Sequence, residues 1–73
     1  MTRIQFQNLK IGDICVFKRG HDQGKKCEVV YIEDWIIGCD AILVKAIDCE
    51  FAQTAGHTNR WLRLTGSHEL DLA

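Results

Sequence analysis

Turn-forming residues interrupt this chain at short intervals, and that restricts it to short elements. Gly12-Asp13, residues 19–24, residues 54–59 and Gly66-Ser67 all carry turn chemistry. Between them lie apolar segments a few residues long. Several alternate with period two, the spacing of a strand covered on one face. Short strands at such intervals predict a small barrel or sandwich, and closure into a barrel removes exposed sheet edges. A chain of 73 residues has room for one hydrophobic core, so residues 1–73 are expected to form a single domain. With 47% apolar and 26% charged residues it belongs with globular rather than disordered chains.

Residues 14–17 follow the Gly12-Asp13 turn and read as a first strand. Ile14, Cys15, Val16 and Phe17 are all apolar, so alternation does not choose the inward face. Residues 25–33 read as a second strand, joined to the first by a polar hairpin loop. Cys27, Val29 and Tyr31 share one of its faces; Glu28, Val30 and Ile32 share the other. Both faces are apolar in the middle. Either a bulge shifts the register there or the strand is covered on both sides. Residues 34–40, which include Trp35, Ile36, Ile37 and Gly38, read as a turn whose apolar side chains fold back onto the core.

Residues 41–47 read as a third strand, because Ile42, Val44 and Ile47 are β-branched. The competing reading is α+β. It caps a helix at Asp40, runs it over about 40–55 with Leu43, Ile47 and Phe51 at helical spacing, and stops it at Gly56. Residues 60–65 alternate clearly, with Leu62 and Leu64 on one face and Trp61 and Arg63 on the other. Residues 69–72 look like a short closing strand.

The net charge is −1 but unevenly placed. Residues 1–30 carry six Lys/Arg against three Asp/Glu, and residues 31–73 carry three against seven. The balance speaks against a dedicated nucleic-acid binder, yet it allows one basic surface. Lys18, Arg19, His21, Lys25 and Lys26 form that surface around Asp22. They are candidates for contact with an acidic protein or a phosphate backbone; the plainer reading is a solvated loop. Arg60, Trp61 and Arg63 are the second candidate group. Arg and Trp are enriched at interface hot spots, and Trp stacks on bases. The plainer reading is that Trp61 packs across the sheet on a neighbour.

Cys15, Cys27, Cys39 and Cys49 contain no pair closer than ten residues, so there is no short metal-binding knuckle. His21, His57 and His68 sit in loops or turns, while the Cys residues sit in apolar contexts that make a thiol inert. Residues 20–26 lack the spacing and the Ser/Thr of a phosphate-binding loop. No catalytic residue, metal or cofactor is expected, and the protein is not expected to be an enzyme. The start of the chain has no apolar centre of an export signal, and the longest charge-free apolar run, residues 35–39, cannot span a bilayer. A cytoplasmic location with reduced thiols and no membrane partner follows as the expectation.

Leu9-Lys10-Ile11-Gly12-Asp13 ahead of a strand resembles the opening of many SH3-like barrel domains, as does the Gly24-centred turn before Cys27-Glu28-Val29-Val30-Tyr31-Ile32. The ending, Arg60-Trp61-Leu62-Arg63-Leu64 and then Glu69-Leu70-Asp71-Leu72, is similar to the tail of small SH3-like proteins encoded by bacteriophages and prophages. The resemblance implies a mainly-β, SH3-like barrel of about five short strands. It also implies that Cys15 and Phe17 point inward, leaving Ile14 and Val16 outside. Domains of this kind are mostly binding modules. The expected function is therefore that of a non-catalytic protein-protein adaptor or modulator of phage type. Ile14, Val16 and Trp61 would form its apolar surface with arginines at the rim, or else the face of a homodimer. The alternative is RNA or DNA binding through the basic 18–26 loop.

Overall fold

The computed structural model describes residues 1–35, 38–47, 49–51 and 58–73, with only the backbone of Trp35, Gly38 and Cys39. The first element is a single helical turn that period-two reading passes over. Thr2 and Gln5 form a capping box: Gln5 N–H donates to Thr2 Oγ1 at 3.1 Å, and Thr2 N–H donates to Gln5 Oε1 at 2.9 Å. This starts helix α1, Arg3–Gln7, which carries the fully buried Phe6 into the core.

Five strands follow: β1 Ile14–Phe17, β2 Lys26–Trp35, β3 Gly38–Ala46, β4 Asn59–Arg63 and β5 Leu70–Leu72. They form one antiparallel sheet in the order β4-β3-β2-β1-β5. A 3-10 helix, Leu64–Glu69, links the two edge strands. The sheet is curled rather than flat. Arg60 on β4 lies over the ring of Phe17 on β1 at 5.2 Å, although two strands separate β4 from β1. The fold is thus mainly β and barrel-like, as the turn spacing predicts.

β2 resolves the ambiguity of its two apolar faces through a bulge. Val29 pairs with Val44 and Tyr31 pairs with Leu43, so Val30 is an extra residue. Before it Cys27 and Val29 point inward; beyond it Tyr31 points out and Ile32 packs on the core. The third segment is strand, because residues 41–45 pair with β2 on one side and β4 on the other. That excludes the helix reading for residues 40–46, and residues 47 and 49–51 are not helical either; 48 and 52–55 lie outside the described residues. The turn read over 34–40 is corrected. Asp34 and Trp35 continue β2, and Gly38 to Asp40 open β3, with a second register shift after Glu33. A connection at 36–37 lies outside the described residues, as does most of the 54–59 loop. The strand read over 60–65 ends at Arg63, where the 3-10 turn begins while keeping Leu64 buried.

Phe6, Phe17, Phe51, Ile42, Val29, Val44, Leu70, Cys15 and Cys27 form the fully buried centre. Phe17 and Phe51 meet edge to face at 5.5 Å. Cys15 and Phe17 face inward as the resemblance implies, while Ile14 is exposed.

The β1–β2 hairpin closes on Gly24. Its N–H donates to Phe17 C=O at 2.8 Å, with φ at +86°, a region L-residues avoid. A Cβ at this position meets no atom within 4 Å. Gly24→Ala is therefore expected to cost about 1 kcal/mol from backbone strain alone. Gly24→Asn should cost less, because Asn tolerates positive φ. Urea denaturation checks both; equal, negligible losses would contradict the strain argument.

Candidate functional site

The bulge at Val30 sets up the most distinctive surface. With Tyr31 turned outward, the register aligns Tyr31 on β2, Leu43 on β3 and Trp61 on β4 in one row across the outer face. The Tyr31 and Trp61 rings meet edge to face at 5.9 Å with Leu43 between their strands. Both rings remain about half exposed, at 52% and 51%. Trp61 thus packs across the sheet and still presents its face to solvent.

Beside this pair, Glu33, Asp40, Ala41, Trp61 and Arg63 line a concavity of about 320 Å³. Arg63 Nη1 lies 3.9 Å from Asp40 Oδ2, and its side chain is 78% exposed, so solvent screens the pair strongly. Glu33 and Asp40 outnumber Arg63, which leaves this rim acidic. The expected rim of arginines is corrected accordingly: Arg63 is present, whereas Arg60 lies on the opposite face of β4. Ile14 and Val16 do not join Trp61 in one apolar surface either. Ile14 pairs with Glu28, which pairs with Lys45, and this charged row separates β1 from the aromatic row.

The basic candidates divide into two groups. Lys18, Arg19, His21 and Lys26 are exposed. Lys18 and Arg19 line a concavity of about 330 Å³ with Thr2, Gln5, His68 and Asp71 near α1. Lys25 and Arg60 instead converge on Asp22, which is 2% exposed. Lys25 Nζ is 2.9 Å from Asp22 Oδ1 and donates to Glu50 C=O at 2.8 Å. Arg60 Nη1 is 3.4 Å from Asp22 Oδ2, and its Nη2 is 3.9 Å from Glu69 Oε1. A buried carboxylate needs such partners, and here they tie the hairpin loop to β4. Lys25 and Arg60 are structural cations first.

Tyr31, Leu43, Glu33, Asp40 and Asp22 are the important side chains that sequence reading leaves out of its candidate set. Tyr31 and Leu43 enter through the bulge, which residue spacing raised without locating. Asp22 has no sequence signal that separates it from an ordinary loop acid.

Cys15 and Cys27 stand directly opposite each other on β1 and β2, fully buried and free. Burial pushes the Cys15 thiol up to about 11, with the nearby Asp13 charge adding to it. Burial likewise raises Cys27 to about 12, aided by Cys15. Both thiols stay protonated at neutral pH, which makes them poor nucleophiles there. Among the described residues, no three His, Cys, Asp or Glu side chains converge as metal ligands, and no helix is long and apolar enough to cross a membrane.

Removing Asp22 leaves two cations without their shared anion. Asp22→Ala is expected to lower stability by about 2 kcal/mol, whereas Lys18→Ala should stay within the small range of surface changes. Urea midpoints of the two variants test this; similar losses would contradict the structural role of Asp22.

The thiols generate an alkaline prediction with a definite sign. Unfolded thiols lose protons near pH 9, while native Cys15 and Cys27 hold theirs to about 11 and about 12. The unfolded state thus binds fewer protons in that window, and stability falls as pH rises through it, by about 1.4 kcal/mol per pH unit for each thiol. Below pH 9 this contribution is level. Denaturation from pH 8 to 11 should show a shallower decline for Cys27→Ala than for the parent. Identical slopes would mean that the thiol is not protected.

No family model, curated protein or solved structure matches this chain.

Proposed function

We propose that this chain is a non-catalytic binding module, a protein-protein adaptor or modulator, that docks its partner on the outer face of β2, β3 and β4. The observation that supports this reading is the Tyr31–Trp61 pair, half exposed and held by paired strands. Large aromatic side chains on a rigid sheet lose little conformational freedom on binding. They also bury much area, which makes them frequent anchors of interfaces. The adjoining concavity, with Glu33 and Asp40 facing Arg63, supplies polar groups around that apolar centre.

The nucleic-acid reading draws on Lys18, Arg19, His21 and Lys26. Asp22 holds Lys25 and Arg60, so fewer cations remain for phosphates than the sequence offers. The aromatic face is therefore the favoured contact surface.

A photo-crosslinking amino acid at Tyr31 tests the proposal in cell extract, with the same probe at exposed Ile11 as the control. The expected result is one defined protein adduct from position 31, lost when Trp61→Ala is added and absent from position 11. Adducts of the same pattern from both positions, or none from position 31, would refute it. An adduct to RNA or DNA would favour the nucleic-acid reading instead.

A further inference from the structure

The backbone of β4 shows which of its polar groups are free. Among the described residues, β3 is its only partner in the sheet. Ala46 N–H donates to Thr58 C=O at 2.7 Å, and these residues continue the β3–β4 register that sets Lys45 opposite Asn59. In an antiparallel ladder, opposite residues alternate between bonded and unbonded pairs. Arg60 and Leu62 therefore bond to Val44 and Ile42. The N–H and C=O groups of Asn59, Trp61 and Arg63 point away from β3. As N-cap of the 3-10 helix, Arg63 gives its C=O to that helix's first hydrogen bond; among the described residues, no backbone hydrogen bond outside the sheet takes up the other outward groups.

The other edge is treated differently. β5 is three residues long. Lys18 N–H donates to Glu69 C=O and Ala73 N–H to Ile14 C=O, so the same alternation turns Leu70 and Leu72 outward. Leu70 is already satisfied: its N–H donates to Ser67 C=O, and its C=O accepts from the Met1 amino group. Among the described residues one edge is blunted and the other is open, and an open edge is a template for another strand.

The open edge is complementary to itself. A two-fold axis through Trp61 sets Trp61 opposite Trp61 and Asn59 opposite Arg63 of a second copy. In that register Trp61 exchanges two hydrogen bonds with Trp61 of the other copy, and each Arg63 N–H donates to the opposite Asn59 C=O. Arg63 then faces an uncharged Asn59, with no like charges opposed. Sliding by two residues to centre on Leu62 halves these bonds, and sliding the other way sets Arg60 against Arg60. We propose that β4 pairs antiparallel with β4 of a second copy of this chain. The two sheets become continuous, and the two Tyr31–Leu43–Trp61 rows join into one aromatic strip across the dimer. The pairing stands on backbone geometry and does not depend on the binding reading above.

The edge is short, so the dimer is weak and needs concentrated protein. The test combines sedimentation equilibrium from micromolar to millimolar protein with amide hydrogen exchange followed by NMR. The expected result is reversible dimerisation in which exchange at Trp61 and Arg63 slows about tenfold or more on concentration. Arg63→Pro removes an outward donor without touching the β3 ladder, so it should keep the fold and abolish the dimer. Asn59→Arg opposes like charges at both ends and should weaken association, whereas Asn59→Glu opposes Arg63 with an acid and should strengthen it. A monomer at millimolar concentration overturns the proposal. So does a dimer that leaves these two amides unprotected, or one that forms equally well with Arg and Glu at position 59.

Discussion

One extra residue in β2 sets both the interior and the outer face of this protein. Val30 is inserted between the Val29–Val44 and Tyr31–Leu43 pairs, and a bulge of this kind bends a strand and increases its twist. β2 is the longest strand, with β1 beside its first half and β3 along its length. A flat strand of that length would hold the sheet open. The bulge lets the sheet curl enough for Arg60 on β4 to lie over Phe17 on β1. It also changes the parity of the chain. Cys27 and Val29 point inward before it, and Ile32 does so after it. Without the insertion, Tyr31 would carry its hydroxyl inward and Ile32 would face water, because a one-residue slip exchanges the two faces of a strand.

The second organising interaction ties the β1–β2 hairpin loop to β4. Asp22 is a loop residue by sequence and a buried anion in the fold, with Lys25 and Arg60 on its two oxygens. Arg60 serves three partners, since it also reaches Glu69 and its guanidinium covers the Phe17 ring that packs on Phe51. The hairpin loop, the edge strand and the aromatic centre are coupled through one side chain. This division of labour explains why the basic cluster is less basic than its composition. One of its cations, Lys25, is held together with Arg60 by an internal acid, and the exposed ones, Lys18, Arg19 and Lys26, flank that assembly. The aromatic row on the outer face is separate from it, behind the Glu28–Lys45 row.

Much of the architecture is legible in the residues because it rests on local chemistry. Gly12-Asp13 and Gly24 mark real turns, and Ile42 and Val44 do sit in a central strand. The alternation of Trp61, Leu62, Arg63 and Leu64 reports the two faces of β4 through Arg63. Other features escaped because they need information that local pattern does not hold. The capping box of Thr2 and Gln5 is written plainly in the sequence, but a helix of one turn leaves no apolar period to detect. Asp34 and Trp35 continue β2 although their composition resembles a turn, since pairing with β3 outweighs local propensity. Of the candidate binding residues, Trp61 and Arg63 stay together on the surface. Arg60 parts from them because neighbours along a strand point to opposite faces.

What the sequence determined alone is the period-two alphabet: short strands, glycine turns at positive φ, and enough apolar residues for one core. These follow from steric limits on each backbone unit and from the cost of leaving apolar surface in water. The tertiary structure alone decided which of two apolar faces of β2 turns inward, which loop acid is buried, and, among the described residues, which edge keeps free backbone groups. Those outcomes depend on register, and register is a relation between strands distant in the chain. It arises when a whole set of side chains packs at once, so no single segment carries it.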